Sequence, residues 1–155
     1  HLDIIRRAAS IFDRVVVAVV RDPPHKAPMF SIDGRVRFIQ DALPDAVNVE
    51  VTEFSELVVD FARRYGARTM VKGLRAISDF EWEFQMHHLN RTLAPEIETT
   101  YLIADSQFSF VSSSSVKEIA SFGGNVDSLV PTAVARRFRE LFVQPKPGAP
   151  VSPQE

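Results

Sequence analysis

The chain has 155 residues, of which 45% are hydrophobic and 25% charged. That balance belongs to a globular domain with a real core, not to a disordered segment. A net charge of −2 supplies no basic field for nucleic acid, so any phosphate recognition falls to a few local cations. The absence of cysteine excludes disulfides, thiolate nucleophiles and Cys-ligated zinc, and fits a cytoplasmic protein. No apolar run approaches the roughly 18 residues needed to cross a membrane.

Leu2 to Phe12 places Leu2, Ile5, Ala8, Ala9 and Phe12 at helical spacing. Arg14 to Val20 is a β-branched run, expected as a strand covered on both faces. Arg21 to Pro28 holds three prolines and reads as a loop carrying His25 and Lys26. Ser31 to Leu43 is helical through Ile32, Val36, Ile39 and Leu43, and Val47 to Val51 alternates as a strand. Glu56 to Tyr65 is a helix with Leu57, Val58, Phe61 and Ala62 inward and Gly66 as the residue that closes it. Arg68 to Val71 is a third strand.

The stretch that follows, Met70 to Arg91, holds the most information. Gly73 lies between Lys72 and Arg75, an arrangement that suits a tight turn with both cations aimed at an anion. Ser78 is the expected N-cap and Glu81 its capping-box partner. On the helix from Ser78 to Thr92, Phe80, Phe84 and His87 or His88 are expected to face other protein. Asp79, Glu83 and Asn90 fall close to one line, either a solvated face or one wall of a site. Trp82 reads as core or subunit interface.

Beyond Pro95, Thr99 to Ala104 is a fourth strand. Asp105 to Val111 is a loop with two phenylalanines. A further helix runs from Ser112 to about Phe122, ended by Gly123-Gly124, and a last one from Thr132 to Phe142. Ser112 to Ser115 at a helix start make either an N-cap or an anion site of hydroxyls and backbone N–H groups, with Lys117 one turn further in. The last stretch, 144–155, has four prolines and almost no apolar bulk and reads as a disordered tail after a single domain over 1–143. Strands alternating with helices indicate an α/β fold, a Rossmann-like parallel sheet with helices on both faces. Ligands of such sheets bind outside the carboxyl ends of the strands. Lys26, Lys72, Arg75 and the loop from Phe108 all follow strand ends.

These segments together resemble bacterial phosphopantetheine adenylyltransferase. The likeness runs to about Leu141 and rests on HLDI at the start, FDRVVVAV, KAPMF, FSELVVDFAR, VKGLRAISDFEWEFQMHHLNR and FSFVSSSSVKEIA. It implies a nucleotidyltransferase fold assembled as a homohexamer. It also implies transfer of the adenylyl group of ATP to 4′-phosphopantetheine with Mg²⁺ assisting, and coenzyme A as a possible feedback ligand. Neither nucleic acid nor membrane is an implied partner.

By position, the resemblance makes His1 the group that stabilises the transferring phosphate, and assigns Lys26 and Arg75 to catalysis beside it. It gives Lys26, Val58, Lys72 and Asn90 to the pantetheine side. ATP falls to His1, Gly73, Leu74, Arg75 and Glu83, and to the loop of Phe108, Ser109, Phe110, Val111, Ser112, Ser113 and Ser114. No side chain is assigned as a metal ligand. The family opens with a strand and a Gly-(Ser/Thr)-Phe-Asp-Pro segment ahead of the histidine, whereas this sequence opens at His1, so residues are expected to precede it. The rival readings are a related nucleotidyltransferase, such as one with nicotinate mononucleotide as acceptor, and a truncated binding module without catalysis.

Overall fold

The computed structural model describes residues 1–24 and 27–142. His25, Lys26 and the expected tail of 144–155 lie outside the described residues. The chain forms two compact units, His1–Phe110 and Val111–Glu155, the second described as far as Phe142.

The first unit alternates helix and strand: α1 (Leu2–Ile11), β1 (Val15–Val20), α2 (Ile32–Asp41), β2 (Val49–Phe54), α3 (Val58–Arg64), β3 (Thr69–Leu74), α4 (Ile77–Leu93) and β4 (Glu98–Ile103). A short 3₁₀ turn, Ser106–Phe108, follows β4. All strand pairs are parallel, as the alternation requires. Among the described residues the strands form two parallel pairs, β1 with β2 and β3 with β4. Helix α1 joins them, because it packs against both β1 and β3. Arg6 donates to the Ala42 carbonyl at 3.1 Å, and the Asn48 amide donates to the carbonyls of Ala9 and Phe12. On the other side Arg7 donates to the Ile103 carbonyl at 2.6 Å, and Asp3 accepts from the Asp105 N–H.

The strand β1 is not covered on both faces, as its Val run suggested. Only Val19 is buried and Ala18 is exposed. The main apolar cluster lies around the second pair: Val59 and Ala62 of α3, Met70 of β3, then Ala94 and Ile97 between α4 and β4. Helix α3 ends as its sequence indicates. Gly66 adopts φ +66°, its N–H donates to the Arg63 carbonyl, and the Ala67 N–H donates to the Ala62 carbonyl. That pair of bonds is a Schellman closure, and only glycine takes the left-handed position without strain.

Gly73 does something other than make a turn. It lies inside β3, paired in register with Leu102. A Cβ placed there would sit 2.8 Å from Ile4 Cγ1 on α1. The glycine is therefore a contact surface that lets α1 lie close on β3.

In the second unit, α5 (Ser113–Ser121) and α6 (Thr132–Phe142) pack together, with Val116, Ala120, Ala135 and Phe138 buried. Gly123 closes α5 at φ +78°, with the same pair of bonds as at α3: Gly123 N–H to Ala120 and Gly124 N–H to Ile119.

Gly73→Ala is expected to cost about 1–3 kcal/mol, the usual cost of forcing an extra methyl group into a packed contact. Urea unfolding measures it. A Gly73→Ala/Ile4→Ala double variant is expected to lose less than the sum of the two single losses, because removing Ile4 relieves the overlap.

Candidate functional site

The site is built where β3 passes into α4. Lys72 and Arg75 stand at the carboxyl end of the strand, and α4 returns over it with a polar line facing the strand. Its Asp79, Glu83 and Asn90 are among the inward residues, with Met86 and His87.

Each cation meets a carboxylate from that line. Arg75 donates from Nε and Nη2 to the two oxygens of Asp79, both at 3.0 Å. The Arg75 backbone N–H donates to the same carboxylate at 3.0 Å. The expected Ser78/Glu81 capping box is not formed. Helix α4 begins at Ile77 after Ala76, with no side-chain cap on that residue. Asp79 does the work by reaching back past the helix start, and acidic groups in a first turn are favoured by the helix dipole. The Arg75 guanidinium holds the Asp79 carboxyl below the usual aspartate value of 3.8, and the backbone N–H groups of Arg75 and Ala76 add to this.

Lys72 Nζ lies 3.6 Å from Glu83 Oε2, close enough for an ion pair but too long for a hydrogen bond. Tyr101, the strand partner of Lys72, donates its hydroxyl to the Glu83 carbonyl at 3.1 Å. Burial, and then the Glu83 charge, push the Tyr101 hydroxyl above its usual value of 10.0. Asn90, 8% exposed, is the one buried polar residue among the described residues. Val58 packs against the apolar cluster that includes Ala94, one turn beyond Asn90.

His1 precedes α1, with its imidazole exposed and making no capping bond. The backbone nitrogen of His1 lies within coulombic reach of Asp3 and Arg75. Leu74 ends β3 beside Ile103. Phe108, Ser109 and Phe110 follow β4 in the first unit, with Ser109 Oγ bonded to the Ser106 carbonyl and Phe110 largely exposed.

Val111 to Ser114 belong to the second unit. Ser112 is a true N-cap: its Oγ accepts from the Ser115 N–H at 3.0 Å and lies 2.8 Å from Ser115 Oγ. Two of the four serines are thus used by the helix. Ser113 and Ser114 are exposed, and their hydroxyls have no partner among the described residues. The N-cap and anion-site readings of this run therefore apply to different residues. Lys26 lies outside the described residues.

The aromatic side chains of α4 are partly exposed. Phe84 is 50% exposed and Trp82 57%. Phe84 packs against Phe80 and His88 at ring separations of 5.8 and 4.5 Å, and Phe80 meets Tyr101 edge-on. Within the described chain these residues, expected to face other protein, are thus half open.

A family described as cytidylyltransferase-like matches residues 1–119. A phosphopantetheine adenylyltransferase of Heliobacterium modesticaldum is 51% identical over 142 residues, covering 92% of this chain and 84% of its own. Another of that name, from Rubrobacter xylanophilus, is 51% identical over 92% of this chain and 86% of its own. One from Acaryochloris marina is 45% identical over 99% and 86%. The chain belongs to the phosphopantetheine adenylyltransferase family.

Within that family's fold, sequence reasoning named Lys72, Arg75, Glu83 and Asn90, and the structure groups them along β3 and α4. It did not assign Asp79 or Tyr101. The signal for Asp79 was its spacing of four residues from Arg75. For Tyr101 it was only a strand register, which no local pattern reveals.

Because Asp79 has a lowered pKa, its pair with Arg75 contributes stability in full above the unfolded aspartate value. That stability is lost as pH falls through the lower folded value. Urea unfolding of the wild type and Asp79→Asn is expected to show a gap at neutral pH that closes in acid. A gap independent of pH would mean that the carboxylate's charge is not what stabilises this turn.

Proposed function

We propose that the protein transfers the adenylyl group of ATP to 4′-phosphopantetheine, giving dephospho-coenzyme A and pyrophosphate. The observation that carries this reading is the pair of cations, Lys72 and Arg75, on one strand end in a chain of this family. Each is held by a carboxylate of α4. Such a site binds and orients phosphates.

The reaction asks for little else. A phosphate oxygen of phosphopantetheine attacks the α-phosphorus of ATP. A new P–O bond forms, the bond to the β-phosphate oxygen breaks, and pyrophosphate leaves with the electron pair. The nucleophile is already an anion, so no side chain has to activate it; positioning and charge stabilisation supply the catalysis. In this reading Lys72 takes the phosphate of phosphopantetheine, while Val58 and Asn90 meet its pantetheine arm. Arg75, Gly73, Leu74 and Glu83 border ATP. By the family resemblance, Phe108 to Ser114 also serve ATP, with the hydroxyls of Ser113 and Ser114 and the N–H groups opening α5 donating to phosphate oxygens. His1 donates to the transferring phosphate, and Lys26 adds a cation from its loop.

Mg²⁺ would neutralise phosphate charge. Among the described residues no group of three or more histidine or acidic side chains is placed to hold a metal ion. In this reading the ion is carried by phosphate oxygens of the nucleotide. The exposed apolar side chains of α4, including Ile77, Trp82 and Leu89, suit burial between subunits and support assembly as a homohexamer. Coenzyme A shares the pantetheine arm and is a fitting feedback ligand. No helix among the described residues is long and apolar enough to cross a membrane, and the proposed location is the cytoplasm.

Pyrophosphate release from ATP and Mg²⁺ tests the reading. Release is expected with phosphopantetheine and not with nicotinate mononucleotide or without an acceptor. Release with nicotinate mononucleotide alone would reassign the acceptor, and no release with any acceptor would leave a binding module. In the active protein, His1→Ala is expected to lower turnover about 10²–10³-fold, the usual loss on removing one transition-state donor. Unchanged turnover would remove His1 from the chemistry.

A further inference from the structure

We infer that Asp79 is a positioning residue for the adenylyl transfer: it sets the plane of the Arg75 guanidinium against the nucleotide phosphates. The inference rests on the reading of Arg75 as an ATP-side residue.

The geometry separates Asp79 from an ordinary surface partner. One carboxylate engages Arg75 at three atoms, the backbone nitrogen, Nε and Nη2, each at 3.0 Å. The two side-chain bonds are a fork-to-fork match, which fixes the guanidinium plane as well as its position. The backbone bond fixes the point from which the side chain starts. An arginine side chain otherwise samples many rotamers, and ordering it is an entropic cost that ligand binding would have to meet. Here the ordering is done before the ligand arrives.

The neighbouring pair shows the contrast. Lys72 faces Glu83, one turn further along α4, at 3.6 Å with no hydrogen bond. Lys72 keeps its reach and can move to a ligand, whereas Arg75 is set in place. The same helix thus holds one cation loosely and the other rigidly. Of the acidic residues on the first turns of α4, Asp79 meets the guanidinium with both carboxylate oxygens. Rigid placement matters most for a group whose work is orientation, since an error of about 1 Å in a reacting complex can cost on the order of 10²-fold in rate.

The test is a double-mutant cycle on the native protein with Asp79→Asn, Arg75→Ala and the two combined. Asparagine and serine can still accept the Arg75 backbone N–H but cannot hold the charged fork. Asp79→Asn is expected to lower kcat/KM for ATP by about 10²-fold, with the KM for phosphopantetheine unchanged. Added to Arg75→Ala, it is expected to cost nothing further. Asp79→Ser, a second variant that also keeps a capping acceptor, is expected to behave as Asp79→Asn does.

A merely structural role would lower the active fraction and leave both KM values where they were, and that result overturns the inference. So do losses that add in the double variant, or wild-type kinetics in Asp79→Asn and Asp79→Ser. If wild-type protein releases no pyrophosphate with phosphopantetheine, the functional reading itself fails and the inference with it. An active wild type with unaffected Asp79 variants defeats only the inference.

Discussion

The close contact of α1 with β3 at Gly73 is the constraint on which the first unit depends. A side chain at that position would collide with Ile4. Because none is there, α1 lies against β3 while also packing on β1, and one helix holds two separate strand pairs together. Its polar residues complete the tie: Arg7 and Asp3 reach the end of β4, and the Asn48 amide reaches back to α1. The same contact brings α1, which His1 opens, against the strand that carries Lys72 near its carboxyl end.

Helix α4 adds the second half of that arrangement by turning its polar line inward. A helix over a strand normally buries its apolar line, because that releases the most water. Here Asp79 and Glu83 face the strand because Lys72 and Arg75 are there to meet them. The aromatic line of Phe84 and Trp82 is left half open as a result. The anchoring of α4 comes from its ends: three bonds from Asp79 to Arg75 at the start, and Asn90 and Ala94 buried near the close. Exposed pairs of this kind contribute little to stability individually. What they fix is geometry at a strand end, where ligands of α/β folds bind.

Much of this was legible in the sequence because it depends on local rules. Gly66 had to follow a helix in the left-handed region, and it does. Ser112 had the position of an N-cap and acts as one. The strands and helices follow the alternation of β-branched runs with helical spacing. The errors came where a nonlocal contact overrode a local motif. Ser78 and Glu81 have capping-box spacing, but Arg75 made Asp79 the better acceptor, so the cap moved. Gly73 sits beside cations like a turn residue, yet its role is set by Ile4, far off in sequence.

The central claim is that the cationic end of β3 recognises phosphate. Calorimetric titration of the native protein with 4′-phosphopantetheine and with pantetheine, its dephosphorylated form, tests it most directly. Charge-assisted hydrogen bonds contribute about 1.5–3 kcal/mol each, so removing the phosphate is predicted to weaken binding at least about tenfold. The loss is predicted to shrink as salt is raised. Equal affinity for the two compounds at low salt would contradict the account, because Lys72 and its neighbours would then hold no phosphate.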